Sequence, residues 1–432
     1  MADIDGDSGN DVLRGTRWDD VIRGFAGHDR IEGDDGNDRL WGGDGDDTIL
    51  GGSGRDQIYG GQGDDVLIGG EGFDYLRIYA APVAVRYDFS LAQAQDTGEG
   101  MDVIRGFEAI QIIGATSLHL TGTGRNEIFH GSDGNDTLIG GGGLDVFYAG
   151  AGDDLVIGSV ILGSSDGGSG RDTLIGSAGR DNFDSGISGF EVIHGAGGND
   201  SIAAGDQAER IYGNAGNDTL AAGADGQVLN GGAGLDTLYT YGDVANIGSA
   251  GRQVIDGYAD VRLAGFENIT GGAWDQRLIG NGAANRIKAG DGADTVNGQG
   301  GNDTLLGQWG NDRLIGSGGN DLLSGHSGND QLLGGSGDDR LDGGGGQDRL
   351  WGGTGADSFL FRSGGGRDVI LDFDPAEDRL AYFGGRAAYD HALAGADVVR
   401  GDLVLEFRSG DQVILRGVDH VTDIDQWVTL GL

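Results

Sequence analysis

Aspartate recurs along this 432-residue chain at intervals of nine. The first series runs Asp11, Asp20, Asp29, Asp38, Asp47, Asp56, Asp65 and Asp74, and the last Asp294, Asp303, Asp312, Asp321, Asp330, Asp339, Asp348 and Asp357. A worn stretch between them carries Asp136, Asp145, Asp154, Asp172, Asp181, Asp200, Asp218 and Asp236. Asp outnumbers Glu 60 to 10, so the chain places a short carboxylate at fixed points of a repeat. Such a series offers hard oxygen ligands. Other candidates for chemistry are weaker. The seven His are scattered, no HExxH occurs, and there is no Cys for a nucleophile, a disulfide or a thiolate site. Gly163-Ser164-Ser165-Asp166-Gly167 matches GxSxG, but a chain this rich in Gly and Ser yields such matches by chance. Asp3-Ile4-Asp5-Gly6-Asp7 resembles half an EF-hand loop without its helices, and no reaction is expected, with 78–120 and 240–270 the only segments where one could hide.

The composition narrows the class. With 94 Gly and two Pro, the chain is neither helical nor collagen-like. A formal charge of −42 repels phosphate and excludes nucleic acid as a partner. No apolar run is long enough for a transmembrane segment.

The elements that must position the carboxylates are set by the rest of the repeat. Gly51-Gly52-Ser53-Gly54-Arg55-Asp56-Gln57-Ile58-Tyr59 is a clear unit, and the register holds from Gly6 to Arg77 and from Gly271 to Leu360. Six Gly-rich residues form a tight turn at no steric cost. Three residues form a minimal strand whose middle side chain, at position eight, faces the core: Ile22, Ile31, Leu40, Ile49, Ile58. Two turns and two strands make a coil of 18 residues. Stacked coils form a right-handed parallel β-roll, an all-β solenoid.

The unit resembles the GGxGxDxUx nonapeptide of RTX (repeats-in-toxin) proteins. The resemblance implies that each turn binds Ca²⁺ through backbone carbonyls and the position-six Asp, so all the Asp residues named above become expected metal ligands, for one to two dozen ions. The pattern fails at Glu209, Gln227, Gln276 and Asn285, which occupy position six, and at Trp18 and Trp274, which replace the fourth-position Gly. Calcium also answers a physical need. Coils stack Asp above Asp at about 4.8 Å, where like charges repel, and hard dications with oxygen ligands remove that repulsion and add binding energy to folding. Extracellular modules bind calcium at about 10⁻⁴–10⁻³ M, so the chain should fold outside the cell.

Six segments are expected: a first β-roll block, 1–77; an irregular β insert, 78–120; degenerate repeats, 121–239; a second insert, 240–270; a second β-roll block, 271–360; and a C-terminal β cap, 361–432. The motif Gly106-Phe107-Glu108 recurs as Gly189-Phe190-Glu191 and Gly265-Phe266-Glu267, each before a return to nonapeptides. The inserts read as wider, calcium-free coils. After Leu360 amphipathic strands replace the repeat, with Ser409-Gly410 signalling a hairpin. This end is similar to the cap of type I secreted RTX proteins, whose uncleaved C-terminal signal the secretion machinery reads; Met1-Ala2-Asp3-Ile4-Asp5 carries no charged-then-apolar stretch. The expected function is a secreted, extracellular bacterial calcium-binding protein acting as a structural or adhesive surface component, such as a surface layer, fibre or biofilm matrix. The alternative is an accessory module of a polysaccharide-modifying enzyme or toxin. Outward strand positions form apolar and arginine rows (Arg23, Trp41, Tyr59 and Arg77; Ile279, Ile315, Leu333 and Trp351) that suit self-association or contact with cell-surface polysaccharide.

Overall fold

The computed structural model describes residues 1–432 except 81, 159–164, 184–186, 204, 206, 250–252, 256–257, 384, 408–409, 420–423 and 431–432. It forms two compact units, Met1–Gly216 and Asn217–Leu432.

In the first unit, up to Tyr79, short strands alternate between two sheets, and strands two apart in sequence pair in parallel with an offset of 18 residues. One sheet holds Val21–Ala26, Arg39–Asp44, Gln57–Gln62 and Tyr75–Tyr79, with Leu40 opposite Ile58. The facing sheet holds Val12–Arg14, Arg30–Asp35, Thr48–Gly54 and Val66–Gly72, with Ile49 opposite Leu67. The period of 18 brings every position-eight side chain to the same line. Ile22, Ile31, Leu40, Ile49, Ile58 and Leu76 are completely buried there. Burying each aliphatic side chain contributes about 1.5–3 kcal/mol.

The insert 78–120 continues this stacking while exchanging one sheet for another. Ala109–Ile113 pairs in parallel with Tyr75–Tyr79, so the first sheet continues. The facing sheet ends at Met101–Arg105, closed by the short antiparallel strand Gln95–Asp96. A new sheet starts at Ala84–Asp88, which pairs with Ser117–Thr121.

In the second unit the insert 240–270 repeats the arrangement. Tyr258–Ala264 is edged by antiparallel Gln253–Ile255, and a new sheet starts at Val244–Asn246 against Arg277–Ile279. Both inserts are pinned by the same amide bridge. Gln95 accepts the Asp88 N–H at 2.9 Å and donates to the Asp88 carbonyl at 2.6 Å. Gln253 does the same with Asn246 at 3.0 and 2.6 Å.

The block after 271 is the most regular part of the second unit, with Leu305, Leu314, Leu323, Leu332, Leu341 and Leu350 completely buried. The parallel register passes Leu360: Ser358–Phe361 pairs with Arg379–Tyr382, and Arg349–Thr354 with Arg367–Ile370. The expected hairpin is present as antiparallel Asp402–Glu406 and Gln412–Leu415, although Ser409 at its turn lies outside the described residues. The cap also contains a helix the sequence reading did not expect, Arg386–Ala394, whose Tyr389 hydroxyl donates to the Val428 carbonyl at 2.9 Å. The tail is folded in as well. Val428–Leu430 pairs with Arg379–Tyr382, and Trp427 packs against Phe373 at 5.2 Å.

Candidate metal centres

Each turn places its position-six carboxylate in the same way. One oxygen, Oδ1, accepts the backbone N–H of the position-six residue on the preceding coil of that edge. Asp38, Asp56 and Asp74 accept in this way from Asp20, Asp38 and Asp56 at 2.7, 2.8 and 2.9 Å. Asp312, Asp330 and Asp348 repeat it at 2.9, 2.7 and 2.8 Å. Hydrogen bonds to a charged acceptor stabilise by about 1.5–3 kcal/mol, so the ladder fixes the carboxylates firmly.

The other oxygen is left over. In Asp29, Asp38, Asp47, Asp56, Asp65, Asp74, Asp145, Asp154, Asp172 and Asp236, and in all eight Asp of the last series, Oδ2 is buried with no hydrogen-bond donor. It faces backbone. A Cβ built on Gly24 would meet Asp29 Oδ2 and the Gly42 carbonyl oxygen, and one on Gly325 would meet Asp330 Oδ2 and the Gly343 carbonyl oxygen. The position-one Gly therefore keeps open a space between a carboxylate oxygen and a carbonyl of the next coil. Positions two and four hold the turn in the left-handed region, with Gly43 at φ 124° and Gly45 at φ 121°. A Cβ at either would collide with the carbonyl oxygen of Phe25 or Gly27 on the coil before.

Burial drives Asp38, Asp65, Asp294, Asp330 and Asp339 toward the protonated form. Removal from water, with the neighbouring carboxylates adding to it, raises Asp38 and Asp294 to about 7 and Asp65 to about 8. The same cause raises Asp330 and Asp339 to about 7. A buried, unpaired, partly ionised oxygen facing carbonyls is costly unless a cation joins it. The donor set is all oxygen, irregular and singly anionic per turn, which suits Ca²⁺ rather than a softer metal. Among the described residues no three His, Cys, Asp or Glu side chains converge on one point, so each cage must draw mainly on carbonyls.

Not every expected ligand sits in such a turn. At Asp11, Asp20, Asp136 and Asp181 the position-two N–H folds back onto Oδ2: Asp7, Thr16, Ser132 and Ser177 donate at 2.6–2.7 Å. Burial still raises Asp136 and Asp181, opposed by these serines, whereas at Asp20 the Ala2 and Thr16 N–H groups outweigh burial and lower the carboxyl. Asp200 accepts the Asp181 N–H at 2.8 Å, and Asp218 donates to Asp236 at 2.8 Å, in the ordinary ladder positions.

Several members of the ladder escaped the sequence reading. Glu127 stands at position six, almost fully buried, with Oε2 unpaired. Asp102 accepts the Asp65 N–H at 2.8 Å; its neighbours Gly98-Glu99-Gly100-Met101-Asp102-Val103-Ile104 keep the repeat spacing inside the first insert. Asp368 and Asp378 accept from Asp348 and Asp357 at 3.0 Å, beyond the end assigned to the repeat. The three Gly-Phe-Glu motifs close ladders: Glu108, Glu191 and Glu267 accept the N–H of Asp74, Asp172 and Asp236 at 3.0, 2.6 and 2.9 Å. Position five builds a second ladder, with Asn37 Oδ1 accepting the Arg55 N–H at 2.8 Å and Asn311 Oδ1 that of Asn329 at 2.7 Å. That ladder explains the Asn or Asp preceding so many position-six Asp.

Of the GxSxG match, Gly163 and Ser164 lie outside the described residues. Ser165 is completely buried, and its hydroxyl oxygen accepts the Phe147 N–H at 3.1 Å.

The chain matches the RTX calcium-binding nonapeptide repeat (4 copies) over residues 5–40, 41–76, 121–156, 166–187, 185–220, 270–305, 279–314, 306–341, 324–359 and 333–370. It belongs to that family. The repeat is therefore a calcium-binding β-roll, and its turns are structural elements rather than catalytic ones. No curated protein matches the chain. Among solved structures it is similar to the extracellular lipase LipA from Serratia marcescens, with 22% identity and a TM-score of 0.20 over 60% of this chain and 40% of the lipase. It is also similar to the AlgE6R3 subunit of the Azotobacter vinelandii mannuronan C5-epimerase, with 26% identity and a TM-score of 0.18 over 36% of this chain and 78% of that one. The RTX chain thus spans less than half of the lipase's own length.

Proposed function

We propose that this RTX chain is a secreted protein that folds on meeting extracellular calcium and serves as a structural or adhesive component of a bacterial cell surface, such as a surface layer, fibre or biofilm matrix. The observation that carries the reading is the series of buried carboxylate oxygens without donors, many of them facing a carbonyl of the next coil, as at Asp29, Asp38, Asp47, Asp321 and Asp330. One ion per such turn gives about twenty in all, the upper part of the range the repeat suggests. Their charge offsets most of −42 and removes the repulsion that keeps copies apart.

Contact with other copies would use the outward columns of the flat sheets. Ile315, Leu333 and Trp351 lie in register on neighbouring strands and are half-buried by one another. Trp41, Tyr59 and Tyr79 stack at 5.1 and 6.1 Å. The most exposed tryptophans lie off these columns, Trp18 and Trp274 in turns and Trp309 at the end of strand Thr304–Trp309, at 60, 69 and 68%. Arg349, Arg367 and Arg416 line a groove of about 460 Å³, which suits an anionic cell-surface polysaccharide. The folded C-terminal tail is the part we assign to recognition by type I secretion machinery. No helix among the described residues is long and apolar enough to cross a membrane.

Light scattering and electron microscopy with and without Ca²⁺ test the reading. Ordered sheets, filaments or large oligomers should form only with calcium. Leu333→Ser with Trp351→Ser should weaken assembly and leave the calcium-induced β signal intact. A strict monomer at saturating calcium and high protein concentration would displace it in favour of an accessory module.

A further inference from the structure

One coil of the second unit, residues 271–288, differs from the coils that follow it on both edges. Every later turn up to Gly355 has a residue in the left-handed region at position two, four or both, yet no residue from 266 to 289 has a positive φ. Its position-six residues are Gln276 and Asn285, each 3% exposed. Gln276 Oε1 accepts the Gly272 N–H at 3.0 Å, and Asn285 Oδ1 accepts the Asn281 N–H at 2.7 Å. The oxygen that later turns leave without a donor is thus supplied with one. These bonds also orient the amides, because an N–H must face the oxygen end. The NH₂ groups then face carbonyls of the incoming segment: Gln276 Nε2 donates to the Gly242 oxygen at 2.7 Å, and Asn285 Nδ2 to the Glu267 oxygen at 2.8 Å.

We propose that residues 271–288 form a metal-independent starter coil, complete in its own hydrogen bonds, on which the two calcium rows of the second unit are built. An amide is the group that fits both sides at once, because it accepts from the turn and donates to the carbonyl behind it. A carboxylate of the same shape would set oxygen against oxygen there. The rows start directly from this coil, since Asp294 and Asp303 accept the N–H groups of Gln276 and Asn285 at 2.7 and 2.8 Å. The same closed geometry, with no positive φ, occurs in residues 6–23 at the start of the first unit's first run of repeats. Residues 122–139 share it only in part: they have no positive φ and the Ser132 N–H closes the Asp136 turn, but Glu127 accepts the Thr123 N–H and still leaves Oε2 unpaired.

The inference rests on the calcium reading above. The test compares the full chain with the isosteric double variant Gln276→Glu, Asn285→Asp in a calcium titration followed by circular dichroism. Each buried, mispaired carboxylate should weaken folding by about 10- to 100-fold. Spread over the eight cations of Asp294 to Asp357, two such defects raise the calcium midpoint about two- to threefold. A midpoint that falls or stays unchanged would overturn the proposal, because it would mean these turns hold calcium and gain from the added charge. If the double variant does not fold, calcium counted by atomic emission on Asn285→Ala decides: an unchanged number per chain supports the starter coil, and a loss refutes it. If the unaltered protein folds without calcium, the calcium reading itself fails, which is a separate outcome.

Discussion

Acid should substitute for calcium. In the second unit burial raises Asp294, Asp303, Asp330 and Asp339 to about 7, and Asp312 and Asp357 to about 6. Unfolded, these carboxyls titrate near 3.8. Between about pH 4 and 7 the native turns therefore bind more protons than the unfolded chain, and the stability of the ion-free roll falls as pH rises through that window. Going from pH 8 to pH 5 should favour the fold by about 2.7 kcal/mol for a carboxyl at 7 and about 1.4 kcal/mol for one at 6. Mutual coupling reduces the total, yet even a fraction of it matches the 5–15 kcal/mol of an ordinary domain. In EGTA the chain should be a coil at pH 8 and regain β signal near pH 5, while the calcium midpoint at pH 5 rises because protons compete for the same oxygens. Circular dichroism with sedimentation, to separate folding from precipitation, reads both effects. A chelated chain as unfolded at pH 5 as at pH 8 would refute the assignment of burial as the source of the calcium requirement.

Other perturbations separate cage, core and ladder. Gly325→Ala puts a methyl against Asp330 Oδ2 and the Gly343 carbonyl oxygen at a φ that alanine can adopt, so the cage must give way and calcium counting should find at least one ion fewer per chain while the fold survives at high calcium. Leu341→Ala empties a completely buried site and should cost about 2–5 kcal/mol in denaturant melts of the calcium form, with the ion count unchanged. Asp11→Ala removes a half-buried carboxylate whose turn is closed by the Asp7 N–H, and should shift the calcium midpoint far less than Asp330→Ala in the same titration.

Positions six and eight were legible because a nine-residue period repeats them in phase, and the period of 18 follows from strand alternation alone. Which turns leave an oxygen open was not legible. Asp20 and Asp38 read alike in the sequence, but Thr16 at position two bonds Asp20 whereas Asp34 takes φ 76° and leaves Asp38 Oδ2 free. That choice depends on the neighbouring coil, and the stacked partner is absent from any single nonapeptide. The roles of Glu108, Glu191 and Glu267 were hidden for a related reason. The sequence showed a recurring motif, but the N–H groups it meets belong to residues 19–34 positions away. Asp102 and Asp368 keep the repeat spacing and were passed over because the segments around them break it. The cap helix Arg386–Ala394 has little amphipathic pattern to announce it and is held by Tyr389 and Ala392.

Calcium-coupled folding is tested most directly by far-UV circular dichroism of the full chain at neutral pH in EGTA, in millimolar Mg²⁺ and in millimolar Ca²⁺. The carboxylates left without donors predict a coil in EGTA, little change with Mg²⁺, which resists a large irregular oxygen cage, and a cooperative gain of β signal with Ca²⁺. A chelated protein at neutral pH with the full β signal would contradict the account.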